Sequence, residues 1–144
     1  MIFRDAIESD LQTVTDIENK VMTMPWSFCS FSEAKDSKHT IFKVAEEDGQ
    51  IAGYAIVYVT APDSELPDIV VSEEFRRRGV AQGLLDEVIA QAKSLGVSEM
   101  FLEVRQNNDA ARQLYLKNGF TEIGIRENFY RDPVEDAICM RADI

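Results

Sequence analysis

A chain of 144 residues, 45% hydrophobic and 28% charged, has the proportions of a soluble globular protein and can bury roughly 70% of its unfolded surface as one domain spanning residues 1–144. Its formal charge of −11 argues against direct nucleic-acid binding, which takes a basic footprint, but tolerates a basic partner and suffices as a solubilising surface. Apolar runs such as Ile51–Val59 fall far short of a membrane span, and the start MIFRDAIESD lacks a secretory pattern, so the expectation is a cytoplasmic protein with no membrane partner.

Ile2–Arg4 is predicted as a short strand. Glu8–Met22 reads as a helix, with Leu11, Val14, Ile17, Glu18 and Val21 near helical spacing. Met24-Pro25-Trp26 breaks it, and a short helix is expected around Ser32–Asp36. Ile41–Glu46 and Ile51–Tyr58 are rich in strand formers and flank Asp48-Gly49, a strong hairpin signal. Leu66–Val71 is predicted as a strand, with Pro67 at its start, at an edge or at a bulge, because proline donates no ladder hydrogen bond. From Val80 to Leu95 the positions Ala81, Leu84, Leu85, Val88, Ile89, Ala92 and Leu95 trace one helix face, and Gly96 follows as a cap. Met100, Leu102 and Val104 alternate with Phe101, Glu103 and Arg105, so Glu99–Arg105 reads as a strand. Asn108 is placed to cap a helix running to Lys117, ended by Asn118-Gly119. Strands near Phe120–Arg126 and Ala137–Arg141 complete an α/β chain with a mixed sheet of six or seven strands and helices on its faces.

Cys29 and Cys139 stand in no metal spacing and are expected to be buried thiols, not a disulfide. His39 is the single histidine, which leaves neither a zinc cluster nor a Ser-His-Asp triad, so no metal is expected. The most informative stretch runs from Leu66 to Gly83: a strand, the basic triplet Arg76-Arg77-Arg78, then a helix start. Small residues at Gly79, Ala81 and Gly83 let a ligand approach the backbone, and the unpaired amides of a first helical turn favour an anion such as a pyrophosphate. An ordinary turn with a solvated arginine cluster is the plainer alternative. No Gly-Lys-Ser/Thr ends the stretch, so it is not a nucleotide P-loop.

These residues carry a resemblance. Arg76-x-x-Gly79-x-Ala81 is similar to the acetyl-CoA signature of the GNAT superfamily of N-acetyltransferases, and Asn108-x-x-Ala111-x-x-Leu114-Tyr115-x-x-x-Gly119-Phe120 to its second signature, with Leu102-Glu103-Val104-Arg105 between them. Pro25-Trp26-Ser27, Asn128-Phe129-Tyr130 and Glu135-Asp136-Ala137 extend the likeness along essentially the whole chain toward the bacterial ribosomal-protein alanine N-acetyltransferases. Pro67-Asp68, Ala81 where glycine is commoner, and the short Arg131-Asp132-Pro133 segment depart from that pattern.

The resemblance implies a GNAT fold whose mostly antiparallel sheet splays to admit acetyl-CoA as co-substrate. It places Ile69, Val70 and Val71 beside the acetyl-pantetheine arm, with one amide polarising the thioester carbonyl. Arg77, Arg78, Gly79, Val80, Ala81 and Gln82 would hold the pyrophosphate through main-chain amides. Asn108 would contact the pantetheine arm, and Arg76 and Arg78 would add charge unless one only faces solvent. Glu103 is the implied general base: a partly desolvated carboxylate in that strand would have a raised pKa. A solvated polar position, or a carboxylate neutralised by Arg105, is its alternative. Tyr115 is the implied general acid for the leaving thiolate, with core packing as its alternative. Trp26 and Tyr130 would flank the acceptor, although a lone Trp is as readily core. The implied acceptor is a protein or peptide N-terminus, in particular the alanine end of a small-subunit ribosomal protein, and the enzyme a monomer or weak homodimer. Acetylation of lysine or a small amine, and a silent acetyl-CoA sensor, are the alternatives; the presence of both Glu103 and Tyr115 speaks against the sensor.

Overall fold

The computed structural model describes residues 1–144. Its seven strands form one sheet: β1 Ile2–Asp5, β2 Thr40–Glu47, β3 Gln50–Thr60, β4 Asp63–Val71, β5 Glu99–Arg105, β6 Thr121–Tyr130 and β7 Glu135–Asp143. They lie in the order β1-β2-β3-β4-β5-β7-β6, antiparallel throughout except for β4 with β5. The helices are α1 Leu11–Val21, α2 Phe28–Asp36, α3 Val80–Ser94 and α4 Asp109–Lys117. Asp48 and Gly49 turn β2 into β3 with φ of 51° and 77°, the left-handed backbone that a two-residue hairpin demands.

The expected mixed sheet, with helices on both faces, is present. On one face Leu84, Leu85, Val88 and Ala92 of α3 pack with Ala55, Val57, Leu102 and Met140. On the other, Leu11 and Val14 of α1 and Phe31 of α2 pack with Phe42, Val44, Ile56 and Val70. Helix α2 starts earlier than predicted, at Phe28, because the Ser27 hydroxyl accepts the Ser30 amide at 3.1 Å, satisfying a donor that the first turn would leave unpaired.

The sheet opens at its centre. Strands β4 and β5 pair only over Asp63–Glu65 with Glu99–Phe101, and beyond that point β4 keeps β3 but has no partner on its β5 side. The divergence coincides with a register shift in the β3–β4 ladder between Ile56 and Tyr58, opposite Leu66-Pro67. Because β4 begins at Asp63, not at Leu66, Pro67 sits inside the strand at this bulge, where its missing N–H costs no ladder bond.

The two cysteines are unpaired as expected, but the burial expected of them needs correction. Cys29 is exposed and Cys139 half-buried, each a free thiol. Phe31 and Ala34 are the inward positions of α2, which turns Cys29 outward.

Candidate active site

Six consecutive amides, Arg77 to Gln82, donate to no acceptor within the chain; the first intrahelical bond of α3 runs from Gly83 N–H to Gly79 O at 3.0 Å. Arg77 and Gly79 both take left-handed φ, 65° and 76°. A Cβ on Gly79 would meet nothing within 4 Å, so backbone conformation and not crowding calls for glycine there. This run of free N–H groups at the positive end of a 15-residue helix suits an anion. A ligand lying along the opening would also find the unpaired edge of β4, with Ile69 and Val71 half-buried and Val70 buried.

The side chains around this cradle are partly committed. Arg78 pairs with Glu47 at 3.1 Å and lies over the Phe75 ring at 5.4 Å. Arg76 Nε reaches Val71 O at 3.4 Å. Gln82 and Asn118 exchange amide hydrogen bonds at 2.8 and 2.9 Å, tying the start of α3 to the end of α4. Val80 is buried and Ala81 half-buried. Asn108 Oδ1 accepts the Ala111 amide at 3.2 Å and caps α4. Gly83 is a correction: a Cβ there would run into the Phe3 ring, so its smallness serves the packing of α3 on β1 and not the approach of a ligand.

Met100, Leu102 and Val104 of β5 are buried, which leaves Phe101, Glu103 and Arg105 on the other face. Glu103 is half-buried and faces Arg126 at 3.7 Å. Arg105 does not neutralise it; its guanidinium pairs with Glu135 at 3.1 Å and stacks on Tyr130 at 4.4 Å. Tyr130 has its phenol pushed up to about 12, by burial first and then by the Glu103 charge. Tyr115 comes from the opposite face, buried and tilted against Phe120 at 5.6 Å. Its phenol is raised far above the ordinary value, by burial first and then by its nearness to Asp68 and Tyr130, so groups from both sides of the opening bear on its hydroxyl. Trp26 is stacked on Tyr58 at 6.2 Å and tilted on Phe31 at 5.5 Å. A surface groove of about 1350 Å³ runs between α1 and Ser72–Arg76 and meets these residues only at Arg76.

Two carboxylates that sequence reasoning did not assign belong to the same region. Glu18 of α1 is fully buried; its Oε1 accepts the Tyr54 hydroxyl at 2.6 Å and its Oε2 the Trp26 amide at 3.0 Å. Asp68 is 6% exposed, and its Oδ2 has no hydrogen-bond partner. Burial, then the adjacent Glu18 carboxylate, raise the Asp68 pKa well above the ordinary carboxylate range. A proton on Asp68, shared with Glu18, accounts for both facts. Each betrays itself in sequence as a charge at a position where the pattern calls for an apolar residue, Glu18 in the stripe of α1 and Asp68 between Leu66 and Val70.

The profile of the acetyltransferase (GNAT) family matches residues 11–120. The chain is 34% identical over 138 residues to the ribosomal protein bS18-alanine N-acetyltransferase of Escherichia coli (strain K12), covering 94% of this chain and 93% of that protein. It is 35% identical over 138 residues to the protein of the same name from Salmonella typhimurium, again covering 94% and 93%. The crystal structure of the ribosomal-protein-S18-alanine N-acetyltransferase from Escherichia coli superposes with a TM-score of 0.91 at 32% identity, over 99% of this chain and 93% of that one. A sheet split between β4 and β5, free amides at the start of α3, and likeness along nearly the whole length agree: this chain is an enzyme of the acetyltransferase (GNAT) family.

Proposed function

We propose that this enzyme transfers the acetyl group of acetyl-CoA directly to the N-terminal α-amine of a protein, with the N-terminal alanine of a small-subunit ribosomal protein as its acceptor. The opening between β4 and β5 carries this reading, with six free amides at the start of α3 and Glu103 and Tyr115 beside it. The family generally uses acetyl-CoA, and the chain's residues fit that group: Arg77 to Gln82 for the pyrophosphate, with charge from Arg76 and Arg78, and Ile69 to Val71 with Asn108 along the pantetheine arm. The acceptor follows from relatives that span 94% of the chain.

Glu103 takes the proton that the acceptor nitrogen must lose, so that the neutral amine attacks the thioester carbonyl. A β4 amide supplies the hydrogen bond that steadies the oxyanion. Tyr115 then protonates the departing thiolate. With its pKa raised by burial the phenol is reliably protonated and donates to the sulfur as charge develops on it; complete transfer to a thiolate whose acid has a pKa of about 8.5 is uphill, so collapse of the tetrahedral intermediate with cleavage of the C–S bond has to drive it. Tyr130 and Trp26 are the proposed walls of the acceptor site.

An α-amine, with a pKa of about 7.7–8.0, is roughly one-tenth neutral at pH 7, whereas a lysine amine near 10.4 is neutral about once in 2,500 molecules. The difference is a handicap of roughly 3.5 kcal/mol for lysine. Peptides with a free N-terminal Ala are therefore expected to outrun matched peptides whose α-amine is blocked and whose only nucleophile is lysine. Initial rates on both sets, with the acetyl group located by mass spectrometry, test this, and a Glu103→Gln arm should lose about 100- to 10,000-fold in turnover. Faster acetylation of the blocked set would reassign the acceptor. Binding of acetyl-CoA without turnover of any amine would leave a sensor.

A further inference from the structure

Two segments from distant parts of the chain meet beside Glu103, and one side chain joins them. Arg105 Nη2 donates to Thr23 Oγ1 at 3.1 Å, in the α1–α2 loop, and to Arg131 O at 2.9 Å, in the β6–β7 turn. Its Nη1 donates to Pro133 O at 3.1 Å and to Glu135 Oε1 at 3.1 Å. The guanidinium plane rests on the Tyr130 ring, and the second oxygen of Glu135 takes the Asn107 amide at 2.5 Å. Four of five guanidinium N–H donors are thus spent on two separate segments, the α1–α2 loop and the run 131–135. The remaining tie between the two loops is Arg131 N–H to Met24 Sδ at 3.3 Å, and thioether sulfur is a weak acceptor.

Nothing in the chemistry of acetyl transfer requires this arginine to touch a reacting atom. Its neighbours do: Glu103 lies two residues away on the same strand face, and Tyr130, held under the guanidinium, is close enough to sense the Glu103 charge. A lysine could not replace it, since an ammonium offers three donors from one point and no plane to stack.

We propose that Arg105 is a positioning residue of the acceptor site: by pinning the α1–α2 loop to the β6–β7 turn and backing the Tyr130 ring, it sets the walls around Glu103 before the acceptor arrives. This rests on Glu103 receiving the acceptor amine. Preorganisation of this kind acts on the encounter with the acceptor and leaves the cofactor cradle, on the other side of the opening, alone.

The experiment compares wild type, Arg105→Met, Arg105→Lys and the milder Thr23→Val, using whichever amine the wild type acetylates. It reads acceptor KM and kcat, calorimetric affinity for acetyl-CoA, and limited proteolysis of the two loops. Arg105→Met is expected to raise acceptor KM by about 10- to 100-fold, the scale of a misplaced reactant, with kcat changed much less and acetyl-CoA affinity within twofold. Arg105→Lys should resemble Arg105→Met, Thr23→Val should give a smaller rise, and cleavage at residues 22–27 and 131–134 should quicken in step. Unchanged acceptor KM with wild-type proteolysis overturns the proposal, as does full rescue by lysine or an equal loss of acetyl-CoA affinity. If the Arg105 variants do not fold, Thr23→Val alone decides: a KM equal to wild type refutes the pin. A wild type that acetylates no amine defeats the functional reading instead, and the proteolysis then still reports on the pin.

Discussion

The buried pair Asp68 and Glu18 shows how one residue can set the conditions under which the site exists. An ionised Asp68 beside an ionised Glu18 would place two like charges out of water, which is far more costly than leaving a proton between them. Glu18 is already served by Tyr54 and Trp26, so Asp68 keeps the proton. The direction of the pH effect follows: the folded-state pKa of Asp68 lies above its unfolded value of about 3.9. The folded state therefore binds more protons than the unfolded one between those values. Stability linked to Asp68 is complete below about pH 4 and is lost as pH rises through the folded pKa, with a slope of at most about 1.4 kcal/mol per pH unit. Asp68→Asn keeps a donor for Glu18 and removes the titration. Urea denaturation at a series of pH values should show the Asn variant gaining on wild type as pH rises from about 4 toward neutrality. A difference that stays constant with pH would mean that the pair does not share a proton.

Among the elements, α3 and β5 were legible from the sequence because each shows a clean period, 3.6 for Val80 to Leu95 and 2 for Met100 to Arg105. The cradle was legible because Gly79 and the arginine triplet sit where strand hands over to helix. Strand β6 gave a weaker signal: every residue from Thr121 to Phe129 is exposed, so no buried face imposes an alternation, and the strand runs four residues beyond its predicted end at Arg126. Ties across the fold were not legible at all, because nothing local marks Arg105 as the partner of Thr23, 82 positions away, or Asp68 as the neighbour of Glu18. Gly83 failed for the same reason, since its neighbour Phe3 comes from the far end of the chain. That contact yields a prediction about how α3 docks. Gly83→Ala adds a methyl group where the Phe3 ring lies and should cost about 1–3 kcal/mol of overpacking, against a helix-propensity gain of about 1 kcal/mol. In a Phe3→Ala background the clash is gone and only the gain remains. Chemical denaturation of the four proteins of this cycle should therefore show the substitution changing sign, destabilising wild type and stabilising the Phe3→Ala variant. Destabilisation of equal size in both backgrounds would show that Phe3 is not what limits the position.

At the scale of the whole molecule the sheet is two sheets held at one corner. Strands β1 to β4 and β5 to β7 share only three ladder pairs, Asp63–Glu65 with Glu99–Phe101, backed at the same corner by the Ser64 hydroxyl, which donates to Glu99 O at 2.9 Å. An unpaired strand edge inside a protein is costly or vulnerable unless something satisfies its amides and carbonyls, and here the exposed edge runs alongside the free amides of Arg77 to Gln82. The chain carries a charge of −11, so a polyanion such as acetyl-CoA is repelled by the molecule at large and must be held by local donors. Ordering by the ligand should thus be concentrated where those donors lie. Hydrogen exchange followed by mass spectrometry, with and without saturating acetyl-CoA, should show slowed exchange over 66–71 and 77–82. Exchange in β1 and β2, on the far edge, should change only as much as global stability does. Binding at 100 times Kd adds about 2.7 kcal/mol to that global stability, visible as a higher melting temperature, so peptides from β1 and β2 that already exchange through local opening should show little change. Protection spread evenly over all seven strands would mean that the ligand acts by tightening the whole fold, and protection absent from 77–82 would remove the start of α3 from the cofactor site.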